Sequence, residues 1–305
     1  MTSFTIIIPI RTERDNIKLL VEEIFNLKIK YDFEILFIND GSTDDSWNEI
    51  KKLNKNYPSV KGISFSRNFG HQIALSAGID NCEKDFLIMM DGDFQHPPEN
   101  IPKMINKYEE GYDVVQMTKK NQGSRNIVQK IVSYLFYFIF RKISGVNISN
   151  NVSDFRLISK KVIKEIKKFN EKERFIRGIV NWVGFNYTEL DYKVHDRKFG
   201  KSKYNISALT KLALFGVFGF SNLPLKLSLY FGFTFSFLSF LFGIYAIIVR
   251  LINPEVVPVG YTDIIVMVTF IGGIQLIFLG ILGSYVSKIF EQVKDRPTYV
   301  ISEKI

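Results

Sequence analysis

The sequence predicts an α/β protein with a doubly wound, mainly parallel sheet, followed by a C-terminal two-helix transmembrane hairpin. Three observations predict it: apolar runs that end in polar turns recur early, helix-like stretches separate them, and two long uncharged stretches lie near the C-terminus. Strands alternating with helices imply a parallel sheet covered on both faces.

FTIIIPI (4–10) reads as the first buried strand, because it is too short to span a membrane and lacks the basic leader of an export signal. DNIKLLVEEIFNLK (15–28) follows with apolar residues at three- and four-residue spacing, the pattern of a helix with one buried face. FEILFIND (33–40) is the second strand, DDSWNEIKKLNKNY (44–57) the second helix and DFLIMMDGD (85–93) the third strand. A first half is therefore placed at residues 1–117. The segment 127–145 carries Tyr and Phe between basic ends and suits a helix lying in a membrane interface, with an ordinary core helix as the competing reading. A second interfacial candidate, 206–227, completes a middle region at 118–226.

The remainder, 227–305, holds the hairpin and a tail. Between Lys226 and Arg250 lie 23 uncharged residues, and between Asp263 and Lys288 lie 24. As helices each spans about 35 Å, against a hydrocarbon core of about 30 Å. The expected spans are about 227–249 and 264–287. Gly232, Ser236, Ser239 and Gly243, with Gly280 and Ser284 opposite, supply small-residue spacings for close packing. Lys211, Lys226, Lys288, Lys294 and Arg296 flank the side shared by both ends. The connecting loop carries Arg250 beside Glu255 and Asp263, so the positive-inside rule places both termini in the cytoplasm.

Charge is unevenly distributed. Residues 1–117 hold 13 Lys/Arg against 19 Asp/Glu, residues 118–226 hold 22 against 7, and residues 227–305 hold 5 of each. An acidic half suited to a metal thus precedes a basic middle, which beside an apolar tail favours anionic membrane lipids over nucleic acid. The single Cys82 excludes an internal disulfide and a cysteine-built zinc cluster. His71, His96 and His195 lack zinc-ligand spacing, although His96 stands where it could touch a phosphate.

LIMMDGDFQHPPEN (87–100) delivers Asp91 and Asp93 at the end of an apolar run, and open α/β sheets bind ligands at such strand ends. Two carboxylates one residue apart suit a hard divalent cation, Mg²⁺ or Mn²⁺, that also holds a diphosphate. By themselves they more often describe a polar turn closing a strand, so their neighbours decide. INDGSTDDS (38–46) delivers Asp40 to the same edge, where it can accept hydrogen bonds from a base or ribose, or simply close a turn and cap a helix. With Pro9 and Glu13 after the first strand, it reads as a base pocket.

PIRTERDNI (9–17), INDGSTDDS (38–46), FSRNFGHQIALSAGID (65–80), MDGDFQHPPE (90–99), SDFRLISKKV (153–162) and RKFGKSKYN (197–205) resemble, in order and spacing, the family 2 glycosyltransferases. The subgroup most similar is the polyprenyl-phosphate glycosyltransferases, such as bactoprenol glucosyltransferases and dolichol-phosphate mannose synthases. The resemblance implies a GT-A-type sheet. It also implies that Pro9, Glu13 and Asp40 line the nucleotide base, with Arg67, Asn68 and Gly70 beside nucleotide and sugar. Asp91, Asp93 and Gln95 would hold the metal, and Asp154 and Arg156 would stand near the transferred sugar. Arg197, Lys201 and Lys203 would close over the phosphates, while Arg125 and Arg141 would meet the lipid phosphate. One departure concerns residue 11, where the family commonly has an aromatic and this chain has Arg11, whose guanidinium plane can also stack on a base.

The activity implied is inverting transfer of a hexose, with UDP-glucose the favoured donor, to undecaprenyl phosphate, releasing nucleoside diphosphate. Membrane lipids are partners, nucleic acid is not, and a homo-oligomer is compatible. Asp91 and Asp93 hold the leaving diphosphate through the cation. The acceptor monophosphate, with a second pKa of about 6, arrives largely ionised. Asp154 is therefore expected to orient groups rather than abstract a proton. Two rivals are weaker. A processive polysaccharide synthase commonly carries Q-x-x-R-W, absent around Arg177 and Trp182, and a nucleotide-sugar sensor has no need of both metal carboxylates and acceptor cations.

Overall fold

The computed structural model describes residues 2–120, 152–172, 174–194, 223–252 and 261–305. The interfacial helix expected at 127–145 lies outside them. So does the second candidate up to residue 222, and its last residues begin the hairpin. The chain forms two compact units, residues 1–205 with 296–305, and residues 206–295.

The first unit is built on one eight-stranded sheet of order β7-β5-β6-β4-β1-β2-β3-β8. Its strands are β1 (Ser3–Ile10), β2 (Asp32–Asn39), β3 (Val60–Phe65), β4 (Phe86–Met89), β5 (Val114–Lys119), β6 (Val152–Ser159), β7 (Tyr187–Tyr192) and β8 (Ile301–Lys304). The pairings β1–β2, β1–β4, β2–β3 and β5–β7 are parallel. Those of β4–β6, β5–β6 and β3–β8 are antiparallel. The three apolar runs of the sequence are thus the three adjacent central strands.

β1 explains why such runs are continuous rather than alternating. Ile6 and Ile8 join a buried cluster with Ile17, Leu20 and Ile24 of α1 (Arg14–Asn26), on one face. Ile7 points to the other face, where Gly78 of α3 (His71–Asp80) approaches so closely that a Cβ there would sit 2.4 Å from Ile7 Cγ2. Both faces are covered, so every position of the strand must be apolar. Each such side chain contributes about 1.5–3 kcal/mol on burial. Phe4 stacks on Phe86 of the neighbouring strand, with ring centroids 4.7 Å apart.

The remaining helices of this unit are α2 (Ser46–Asn56), α4 (Ile101–Glu109), α5 (Lys160–Lys167) and α6 (Ile176–Trp182). The antiparallel β6 inserts between β4 and β5, with Arg156 opposite both Met89 and Gln116. β5 itself runs across residue 117, so the two halves distinguished in the sequence share one sheet.

The last residues also belong to this unit. Expected only as a tail behind the hairpin, they form β8 at the sheet edge beside β3. The run that pairs with it, VKGISF, is short and broken by Lys61 and Gly62, so it does not stand out as a strand before its partners are known.

The second unit contains α7 (Leu223–Ile252) and α8 (Tyr261–Val293), of 30 and 33 residues. Their stretches Leu225–Phe242 and Phe270–Val293 are long and apolar enough to cross a membrane. Leu229, Phe233 and Leu276 are 71%, 74% and 70% exposed. A helix surface of that character suits a bilayer rather than water. The rings of Phe235 and Phe270 meet edge to face at 6.2 Å.

Candidate active site

The parallel strands β1, β2 and β4 end at one edge of the sheet, where Ile10 stands opposite Asn39 and Ile7 opposite Met89. Asp40 and Asp91 follow directly, so the edge is acidic. β6 approaches the same place from the antiparallel direction and delivers Asp154 and Arg156.

Asp91 is one-third exposed, with Oδ1 3.7 Å from His71 Nε2 and Oδ2 3.5 Å from His96 Nε2. His96 is buried and stacks on Phe155, and its Nδ1 accepts a 2.9 Å hydrogen bond from the Asp91 backbone N–H. That bond leaves the ring proton on Nε2, facing the carboxylate. Burial keeps the His96 pKa below its ordinary value and the ring neutral. His96 therefore acts on Asp91, holding the end of β4 in shape.

Asp93 is buried and its Oδ1 accepts from the Gln95 backbone N–H at 3.1 Å. Between them Phe94 adopts φ 65° with its side chain buried. A bulky residue with positive φ persists only where packing holds it, and such positions concentrate at functional turns. The buried ring anchors the turn that presents Asp91 and Asp93.

Asp154 is the most constrained carboxylate of the cluster. Arg177 of α6 grips it with both prongs, Nε to Oδ1 and Nη2 to Oδ2, each at 2.7 Å. His71 Nε2 lies 3.6 Å from Oδ2, and Arg156 Nη2 lies 3.6 Å from Oδ1. Burial opposes the charge, but Arg177, the contact with His71 and the Arg156 charge outweigh it and hold the carboxyl well below the usual range. His71 shows the reciprocal effect. Crowding by surrounding atoms lowers its pKa although 43% of the side chain stays exposed, while bonding to Asp154 and the charges of Asp91 and Asp154 more than reverse this, raising it to about 8. A cation held by Asp91 would weaken that carboxylate's pull on the ring.

Arg156 is fully buried, and burial lowers its pKa to about 10. Its Nη2 donates to the Ser153 carbonyl at 2.9 Å, while Nε and Nη1 have no hydrogen-bond partner among the described residues. It lies beneath the site, supporting Asp154 and exposing no surface to an acceptor.

Asp40 is buried and spends much of its carboxylate on the chain itself. Oδ1 accepts from the Phe69 N–H at 2.6 Å, and Oδ2 accepts from the Gly70 N–H at 3.0 Å. It thereby fixes the loop that starts α3 and sets His71 between Asp91 and Asp154. Gly41 allows this approach: its φ is +61°, and a Cβ would stand 2.4 Å from the backbone carbon of Arg67. Gly41→Ala is expected to cost at least about 1–2 kcal/mol from the left-handed backbone alone, with the clash added, read as a fall in thermal midpoint.

Pro9 lies in β1 opposite Ile38, close to this edge. Glu13 precedes α1, its N–H donating to Ser46 Oγ at 3.1 Å and its carboxylate accepting from Asn16 Nδ2 at 2.5 Å. Arg67 is exposed, with its guanidinium 4.1 Å from the Phe69 ring centre, and its Nη1 donates to the Asn68 carbonyl. Arg125, Arg141, Arg197, Lys201 and Lys203 lie outside the described residues.

His71 and Arg177 were not assigned to the site from sequence. His71 has a local signal, standing first in a helix after the Asn-Phe-Gly turn. Arg177 has a fainter one, a lone cation in the apolar FIRGIVNW.

A hard cation fits this edge. Two carboxylates from one turn are within the number that Mg²⁺ or Mn²⁺ takes from protein when phosphate oxygens supply the rest. Among the described residues, Asp91 meets side chains only through two imidazole nitrogens at 3.5–3.7 Å, longer than hydrogen bonds, which leaves it lone pairs for a metal.

Residues 5–167 match the family described as Glycosyl transferase family 2. That stretch contains every side chain of the cluster except Arg177. A bactoprenol glucosyl transferase of Shigella phage SfX is 37% identical over 98% of this chain and 98–99% of both proteins align. The putative glycosyltransferase CsbB of Bacillus subtilis is 39% identical over 98% of this chain and 91% of its own length. Among solved structures, glucosyl-3-phosphoglycerate synthase from Mycobacterium tuberculosis, in complex with Mn²⁺, UDP-glucose and phosphoglyceric acid, is 14% identical with a TM-score of 0.49. It covers 71% of this chain and 78% of that one, a likeness too low to carry an assignment. The family match spans more than half of the chain and the relatives nearly all of it, so this protein is a glycosyltransferase and belongs to glycosyl transferase family 2.

Proposed function

We propose that the enzyme transfers a hexose, with inversion, from UDP-glucose to undecaprenyl phosphate at the cytoplasmic face of a bacterial inner membrane. The observation that carries the reading is the joining of Asp91 to Asp154 through His71, within 3.7 Å of each, on a chain that carries two membrane-length helices. Carboxylates from the donor-side strand β4 and from β6 thereby face one reaction space. The full-length likeness to bactoprenol glucosyl transferases, hairpin included, supports a lipid monophosphate as acceptor.

On this reading residues 1–117 hold the nucleotide sugar and 118–226 the acceptor, while the membrane hairpin of 227–305 is followed by a tail, 296–305, that belongs to the first unit. Pro9, Glu13 and Asp40 shape the base pocket, Asp40 by fixing the loop of Arg67 and Asn68. Asp91, Asp93 and Gln95 would hold Mg²⁺ or Mn²⁺, and the bound cation would supply Lewis-acid stabilisation of charge on the leaving diphosphate. Arg125, Arg141, Arg197, Lys201 and Lys203 are assigned to the phosphates of acceptor and donor.

Asp154 does not serve as the base. Gripped twice by Arg177 and held ionised, its carboxylate has little affinity for a proton. None is required, because a phosphate monoester with a second pKa of about 6 is already a dianion in large part near neutrality. Asp154 instead orients His71 and Arg177 around the transferred sugar.

The deciding experiment incubates membranes containing the full chain with undecaprenyl phosphate and a panel of labelled nucleotide sugars, then extracts lipid. Label from UDP-glucose in a polyprenyl-phosphate product is expected. Label from another nucleotide sugar would replace the donor, and no lipid-linked label from any donor would end the reading.

A further inference from the structure

The C-terminal strand does more than cover the edge of β3. An edge strand is commonly protected by pairing, and β8 does this: Gly62 and Ile305 exchange both backbone hydrogen bonds, at 3.1 and 2.9 Å. Side chains reinforce the pairing. Glu303 accepts from Trp47 Nε1 at 2.7 Å and pairs with Lys51 at 2.7 Å, and Ser302 Oγ donates to the Ser64 carbonyl at 3.0 Å. A cover would end where β3 ends, at Phe65.

The contacts continue beyond it, into the loop of the active site. Val300 O accepts the N–H of Ser66 at 3.0 Å, already past the strand. The half-buried Tyr299 stacks on Phe65, with centroids 5.0 Å apart and planes at 21°. Phe65 meets Phe69 edge to face at 5.6 Å, and the Phe69 ring carries the Arg67 guanidinium at 4.1 Å. The Phe69 and Gly70 N–H groups are the donors held by Asp40, and the next residue is His71. Three rings in series thus run from the tail to the loop that sets His71 against Asp91 and Asp154.

The tail also reaches the far end of α3. Lys304 Nζ donates to Asn81 Oδ1 at 2.9 Å. One short segment therefore touches the loop before α3 and the residue after it.

We propose that the tail strand fastens the donor loop, with Tyr299 as the positioning residue for residues 66–71. Because this segment follows α8 directly in the chain, the loop is tied to the stretch that leaves the hairpin. The inference rests on the assignment of Arg67, Asn68 and His71 to the nucleotide-sugar site.

Two measurements on the full chain in detergent test it. Hydrogen exchange needs no ligand: in Tyr299→Ala the amides of residues 66–74 should exchange about five to ten times faster, the range one aromatic pair commands. Those of β4 should be unchanged, and Tyr299→Phe should restore protection, since the stack needs the ring alone. With UDP-glucose and Mn²⁺ as probe, Tyr299→Ala should raise the donor KM by a similar factor with kcat within about twofold, while Tyr299→Phe matches the parent. Faster exchange confined to β3 and β8, with 66–74 protected as before, would reduce the tail to an edge cover and overturn the proposal. Failure of every nucleotide sugar to give product would instead strike the functional reading, and the exchange result would still decide the task of the tail.

Discussion

Asp93→Asn is expected to lower turnover by about a thousandfold or more while leaving the protein folded. Removing one group that stabilises charge developing in a transition state costs about 10²–10³ in kcat, and loss of a carboxylate proposed to hold the cation falls at or beyond the upper end. The fold should persist because an amide oxygen at the same place can still accept the 3.1 Å bond from the Gln95 N–H. Two readouts separate chemistry from structure. Lipid-linked label reports turnover, and the Mn²⁺ paramagnetic signal reports metal held in the presence of UDP. Weaker Mn²⁺ binding should accompany the lost turnover. Parent-like turnover in Asp93→Asn would remove the cation from the mechanism, and a retained cellular role without turnover would favour the sensor reading.

Arg177→Gln should show the second largest effect, and on stability as well as rate. Asp154 is buried, and removing one partner of a buried, hydrogen-bonded pair costs about 3–5 kcal/mol because the other charge is left uncompensated. The sign of the pH dependence follows from the folded-state pKa. In the parent it is depressed, so the contribution of Asp154 to stability is present above its unfolded value of 3.8 and is lost as pH falls through the depressed folded value. Without Arg177, burial is opposed only by His71 and Arg156, so the folded pKa rises and the variant gains less stability than the parent as pH rises. The gap between parent and variant should therefore widen from about pH 3 to pH 6, read by thermal melts across that range. A gap that stays constant would mean that Arg177 contributes packing only.

Turnover in Arg177→Gln should fall as well, because Asp154 would no longer be held in a single orientation toward His71. The pH profile carries the mechanistic content. If Asp154 merely orients its neighbours, single-turnover rates with a fully ionised acceptor should show no acid limb assignable to it. An acid limb that vanishes in Asp154→Asn would restore it as a base.

Much of the fold was legible before any contact was known. The runs at 4–10, 33–40 and 85–93 are β1, β2 and β4, because strands covered on both faces must be apolar at every position. The hairpin was legible for a similar reason: a helix in lipid needs an unbroken uncharged stretch, and α7 and α8 contain the expected spans. β3 and β8 were not, since β3 is interrupted by Lys61 and Gly62 and β8 reads ISEK, with two charges in four residues. Both are held by their neighbours rather than by their own composition.

The same division runs through the site. Asp40, Asp91 and Asp93 could be placed at one sheet edge because each directly follows or nearly follows a legible strand, and the family followed from six motifs in order. Their partners could not. His71 lies 83 residues from Asp154 in the chain and Arg177 lies 23, yet both converge on one carboxylate. Asp40, taken from sequence as a base contact, proved to hold the Phe69 and Gly70 amides. Sequence by itself determined the three central strands, the two membrane-length helices, the family and the position of the acidic edge, because apolar periodicity and strand-end turns are local properties. Only the tertiary structure decided which cation neutralises which carboxylate and which segment fastens the loop, because those choices depend on distances between residues far apart along the chain.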